Sequence, residues 1–126
     1  MNIPAQAFAL VAALTHLWIF TTESVRFSRP DVHAMFEVRA ADLDAVRAWA
    51  FHQGCYNALL ALQVLAGLAA AYLGAGAEAR ALVLAASTSM LAASVALIAF
   101  DPRQARLKGL IGQGAPALAT LIALVT

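Results

Sequence analysis

The sequence predicts an all-α integral membrane protein, a four-helix bundle with both termini on the non-cytoplasmic side. Three observations carry this. Of 126 residues, 63% are hydrophobic and 12% charged, against about 45–50% and about 25% in soluble domains. Four apolar stretches each come near the ~20 residues that cross ~30 Å of hydrocarbon. Seven of the eight Lys and Arg residues fall in or beside the first and third connections. A single domain of this size has too little interior to hide so much apolar surface, so lipid must cover the excess.

The first stretch covers residues 3–22. It has no basic leader and carries His16 and Glu23 where a cleavable signal would have small residues, so it reads as a retained helix. Ser28, Arg29, Pro30 and Asp31 form a turn-prone cluster after it. Residues 35–47 are mixed. Leu43, Val46 and Trp49 recur at helical spacing among Arg39, Asp42, Asp44 and Arg47, which predicts an interfacial segment leading into the second helix. That second stretch, 46–72, is longer than a bilayer requires and should tilt or protrude. Gly74-Ala75-Gly76 ends it, as glycine does at helix C-termini. The third stretch, 81–100, ends at Asp101-Pro102 because proline disfavours a helical residue before it. The fourth, 107–125, contains Pro116, which predicts a kink with Gly112 and Gly114 nearby.

Charge sets the orientation. Arg26, Arg29, Arg39 and Arg47 attend the first connection, Arg103, Arg106 and Lys108 the third, and Arg80 alone the second. With four crossings, the first and third connections share a side, and the positive-inside rule makes that side cytoplasmic. The expected location is the cell (inner) membrane, as a multi-pass protein. A net charge of +1 gives no basic field for nucleic acid. Cys55, the only cysteine, excludes an internal disulfide and reads as a small buried apolar residue. Small residues such as Ala69, Ala85, Ser89 and Ala93 predict close helix packing, inside the bundle or in a homo-oligomer.

Polar side chains within a bilayer are costly and usually face a bundle interior or a cavity. His16 and Glu23 are seven apart on one face of the first helix, Glu23 near its cytoplasmic end and His16 roughly 10 Å deeper. In the second helix His52 and Tyr56 share one face, and Gln53 and Asn57 the next. Gln113 lies near the start of the fourth. All seven fall in the cytoplasmic half, which predicts a polar pocket opening that way. Gln53-Gly54 and Gln113-Gly114 sit at similar depths, as in a parallel two-helix repeat. Each residue also has a purely architectural reading: His16 and Glu23 as an interhelical clamp, Gln53, Asn57 and Gln113 as packing glue. Trp18, Trp49 and Tyr56 can be interfacial aromatics, and His33 a solvent-exposed loop residue.

These residues carry a resemblance. His16-Leu17-Trp18-Ile19 followed by Glu23, the loop residue Phe36, His52-Gln53-Gly54-Cys55-Tyr56-Asn57, and Gln113-Gly114-Ala115-Pro116-Ala117 occur in order along nearly the whole chain. Together they resemble the small bacterial and fungal membrane proteins catalogued as domain of unknown function 1304, the YwdK-like family. His52 departs from that pattern, which usually has asparagine there. The resemblance implies a four-helix membrane fold and brings no activity or cofactor with it.

Three functions fit the sequence. In the first, the pocket binds or converts a small apolar or amphipathic molecule. His16, Glu23 and His52 would then handle protons, while Gln53, Tyr56, Asn57 and Gln113 orient a polar head. Haem ligation by His16 or His52 is a further option, but the sequence names no cofactor and has no nucleophile elbow, phosphate loop or HExxH-type metal motif. In the second, Glu23 serves proton-coupled export of the small multidrug type, although it lies near a helix end. In the third, the chain is a structural or accessory membrane subunit.

Overall fold

A computed structural model describes residues 1–126, the side chain of Ala105 excepted. All regular structure among the described residues is helical. Helix α1 (Ile3–Phe20) starts at Asn2, whose Oδ1 accepts from the Ala5 N–H at 2.8 Å, and has a proline in its first turn, where no N–H is needed. It does not stop at Phe20. Residues Thr21–Val25 continue as a π-helical turn, closed by the Arg26 N–H donating to Thr21 O at 2.8 Å. Helix α2 (Pro30–Met35) is one short piece opened by proline. A 3-10 turn, Ala40–Asp42, leads into α3 (Leu43–Tyr72), then α4 (Gly76–Phe100) and α5 (Gln104–Val125).

The turn from α3 to α4 shows why glycine is there. Gly74 has φ of +81°. The Ala75 N–H reaches back to Ala70 O at 2.9 Å and the Gly74 N–H to Ala71 O at 3.3 Å, the paired bonds that close a helix on a left-handed residue. In α5 the Pro116 ring removes one helical bond from Gly112, which has no side chain to crowd. Thr120 Oγ1 donates to Pro116 O at 2.8 Å.

The helices pack as an antiparallel square. Helix α1 lies against α3 and α5, and α4 lies against the same two, so α1 and α4 take opposite corners. Asn2 Nδ2 donates to Ala123 O at 2.6 Å, joining the two chain ends at the α3–α4 end of the bundle. At the other end, Glu37 of the first connection accepts from Arg103 at 3.2 Å and Arg106 at 3.1 Å. The core is built from small residues, Ala5, Ala9, Ala12, Ala61, Ala86 and Ala117, around Val64, Val83 and Met90. With lipid as apolar as leucine, such a core gains by close backbone approach rather than by excluding water. A methyl on Gly67 would lie 2.7 Å from Val83 Cγ2, and one on Gly114 would lie 3.2 Å from Ser94 Cβ, so these glycines set the α3–α4 and α4–α5 spacings.

Four helices are long and apolar enough to cross a membrane: Ile3–Val25, Ala40–Tyr72, Gly76–Phe100 and Arg106–Val125. The four-helix, all-α expectation therefore holds. The boundaries differ locally from 3–22, 46–72, 81–100 and 107–125. The first span runs on through its π turn. Helices α3, α4 and α5 each begin three to five residues earlier, because polar and charged residues are no obstacle to a helix at a membrane surface. Residues 35–47, expected as an interfacial lead into the second helix, comprise the end of α2, a turn at Glu37, the 3-10 turn and the start of α3. Glu37 has φ of 60°, an uncommon conformation for a residue with a side chain.

Candidate functional site

The polar residues meet where the end of the first span crosses α3. Asn57 Nδ2 donates to Glu23 Oε2 at 2.9 Å and to Gln53 O at 3.1 Å. One turn away, Ser24 Oγ donates to Phe51 O at 2.9 Å. Both bonds depend on Gly54. A methyl there would overlap Ser24 Oγ and lie 3.0 Å from Glu23 Cβ and 3.1 Å from Ser24 N. The glycine thus lets the π turn lie directly on α3. The π turn in turn sets which way Glu23 points, since it breaks the 100° step per residue that would have kept Glu23 in line with His16.

A groove of about 520 Å³ opens beside this contact. Glu23, Ser24, Phe27 and Ser28 line it from the end of the first span, and Asp44, Arg47 and Phe51 from α3. Its walls therefore combine two carboxylates, one guanidinium and two aromatic rings. Glu23, Asp44 and Arg47 make no ion pair among the described residues. Phe27 is buried, with its ring centroid 5.8 Å from that of Phe36, which fixes the wall of the groove to the first connection. An ionic network ties the two connections at this end. Asp101 accepts from Arg103 at 2.6 Å and Arg106 at 3.1 Å, and both arginines also reach Glu37. The bonds from Arg103 first, and Arg106 second, hold the Asp101 carboxyl well below the usual carboxylate range. Asp101 and Glu37 together raise Arg103.

The seven residues expected to share one pocket do not all converge. Glu23 and Asn57 meet directly. His16 is buried in α1 at 1% exposure, its Nδ1 2.9 Å from Ala12 O, so its partner is its own helix. His52, Gln53 and Tyr56 are exposed on the outer surface of α3, where the His52 and Tyr56 rings meet edge to face at 4.8 Å. Gln113 is half-buried on α5, its amide passing over Gly109. Among the described residues no hydrogen bond joins His16, His52, Tyr56 or Gln113 to Glu23 or Asn57. The single polar pocket is thus replaced by a two-residue contact, an outward-facing group on α3 and two isolated side chains. Depth had been matched, but direction around the helix had not.

Other expectations change too. His33 is buried rather than solvent-exposed, its Nδ1 2.7 Å from Val38 O. Cys55 is half-buried. Trp18 and Trp49 are exposed, as belt residues would be. No group of three or more His, Cys, Asp or Glu residues poised for a metal occurs among the described residues. The Gln-Gly echo gains a counterpart in packing: Gly54 meets Ser24 of the preceding span, and Gly114 meets Ser94 of the preceding span. Ser24, Phe27, Arg47 and Phe51 line the groove without having been singled out for it. Serine and phenylalanine are too common in membrane spans to signal a site, and Arg47 is accounted for by the charge rule.

The family described as "Protein of unknown function (DUF1304)" matches residues 10–125. No curated protein and no solved structure matches the chain.

Proposed function

The chain belongs to the DUF1304 family of proteins of unknown function, and we propose that it is a multi-pass protein of the cell membrane that binds an amphipathic molecule in the Glu23 groove. The observation that supports this is the composition of the groove at a helix crossing: Glu23, Asp44 and Arg47 around Phe27 and Phe51. Charges of both signs suit a head bearing an ammonium and an anionic group. The aromatic rings suit the first carbons of its tail, and a cation near them gains further. Four arginines nearby, Arg26, Arg29, Arg39 and Arg47, belong to the arginine-rich end, so the groove opens to the cytoplasmic leaflet under the positive-inside rule. Neither His16 nor His52 borders the groove, which favours binding over proton-transfer chemistry in it.

The test uses dansyl-phosphatidylethanolamine titrated into the detergent-purified protein. Glu23→Gln keeps an acceptor for Asn57 while removing the charge. On this reading it weakens binding about tenfold with little change in thermal midpoint. Unchanged affinity in Glu23→Gln would overturn the reading. One observation favours the alternative of an accessory subunit: the Glu23–Asn57 and Ser24–Phe51 bonds already join two spans. That alternative predicts lost stability and no specific binding. The exporter reading is weaker, because Glu23 sits in the terminal π turn rather than mid-span.

A further inference from the structure

The outer surface of α3 differs from the other lipid-facing surfaces. Hydroxyls on the other spans lie within reach of their own backbone: half-buried Thr15 Oγ1 donates to Val11 O and exposed Ser89 Oγ to Ala85 O, both at 2.9 Å. Exposed Thr88 on α4 makes no side-chain hydrogen bond among the described residues but is short enough to bond a carbonyl of its own preceding turn. The outer residues of α5, such as Ile111, Leu118 and Ile122, are apolar. On α3, by contrast, His52 and Tyr56 are exposed and Gln63 is half-buried. Among the described residues none of these three side chains makes a hydrogen bond within the chain. At ~100° per residue, His52, Tyr56, Leu59 and Gln63 fall within about 60° of one another, on a single stripe. Leu59 is 60% exposed between them. Gln63 is 14 residues beyond the interfacial Trp49, so it lies about 21 Å further along the helix axis. Its amide is too deep to reach a headgroup easily, and an unmet amide in hydrocarbon is costly.

We infer that this stripe is the contact between two copies of the chain, related by a two-fold axis along the membrane normal. Copies inserted the same way place α3 beside α3 in parallel, each residue level with itself. An amide is self-complementary in that arrangement. Gln63 donates its N–H to the carbonyl of the partner's Gln63 and accepts in return, as a buried asparagine pair does in a parallel coiled coil. His52 and Tyr56 each carry a donor and an acceptor and can exchange bonds across the axis in the same way. The small residues exposed on α4, Ala85, Thr88, Ser89, Ala92 and Ala93, offer a closer approach, but their polar groups are hydroxyls that their own backbone can satisfy, with no amide or imidazole among them. The inference is independent of the groove, whose α3 residues lie about a quarter turn away around the helix.

The test is disulfide trapping in native membranes, in a Cys55→Ser background. Leu59→Cys is expected to give a covalent dimer on mild oxidation, whereas Ser89→Cys and Leu118→Cys stay monomeric. Adding Gln63→Leu to Leu59→Cys should cut the trapped fraction severalfold, and the dimer dissociation constant in lipid should rise roughly tenfold. Gln63→Leu adds apolar surface and is not expected to unfold the bundle, which circular dichroism would verify. No dimer from Leu59→Cys, trapping through Ser89→Cys instead, or trapping insensitive to Gln63→Leu would each overturn the inference.

Discussion

Gly54 is the position at which one methyl group tests the crossing of the first two spans. Glycine inside a helix ordinarily costs about 0.5–1 kcal/mol relative to alanine, so Gly54→Ala would stabilise α3 if space allowed. Space does not allow it: the methyl overlaps Ser24 Oγ and crowds Ser24 N. Gly54→Ala should therefore lower the thermal midpoint, by an amount near the 1–3 kcal/mol of overpacking. Gly109→Ala, whose methyl meets only ordinary contacts at 3.8 Å, should leave it unchanged or higher. Equal midpoints in the two variants would contradict the close crossing. Asn57→Leu should cost about 1 kcal/mol through loss of the bond to Glu23, read by the same melting experiment. At this scale the sequence was partly legible. Glu23 and Asn57 stood out because amides and carboxylates are rare in apolar spans. Ser24 did not, because serine is tolerated anywhere in a membrane helix. His33 was misread because its burial depends on a bond to Val38 O across the Glu37 turn, which composition does not reveal.

The elements at the arginine-rich end are held by charge as well as by packing. Glu37, Asp101, Arg103 and Arg106 link the first and third connections. Asp101 titrates below its ordinary value when folded, while in the unfolded chain it would titrate near 3.9. Its contribution to stability is thus fully present above about pH 4 and is lost as pH falls through the folded value. Thermal melts from pH 6 down to pH 2 should show a falling midpoint, and Asp101→Asn should be less stable at pH 6 with a shallower fall. An identical fall in the variant would mean that the network contributes nothing. The helix ends were legible where local chemistry decides them, at Gly74 and at Asp101-Pro102. The directions of the side chains around α3 were not. In a soluble helix, polarity marks the outward face, but in a membrane both the core and the lipid are apolar. Depth could then be read from the chain, while rotation about the axis could not, and His52 and Tyr56 were placed inward when they face out. Nothing in Thr21–Val25 signals a π turn either.

For the molecule as a whole, composition and the spacing of apolar stretches were enough to give four spans, because a bilayer leaves a short apolar chain few alternatives. The arrangement of α1 and α4 at opposite corners needed three dimensions, since it rests on which small residues meet. The arginines predict the orientation. In a Cys55→Ser background, Ser28→Cys should react with an impermeant maleimide only in inside-out vesicles, and Thr126→Cys only in right-side-out ones. The opposite pattern would place the groove in the outer leaflet. The central claim is that the groove holds an amphiphile, and photolabelling tests it most directly. A phosphatidylethanolamine carrying a diazirine near its head should be activated on the membrane-embedded protein and its adducts mapped by mass spectrometry. Adducts concentrated on residues 23–28 and 44–51, and depleted in Glu23→Gln, are the expected result. Adducts spread evenly around the lipid-facing surfaces of all four spans would contradict it.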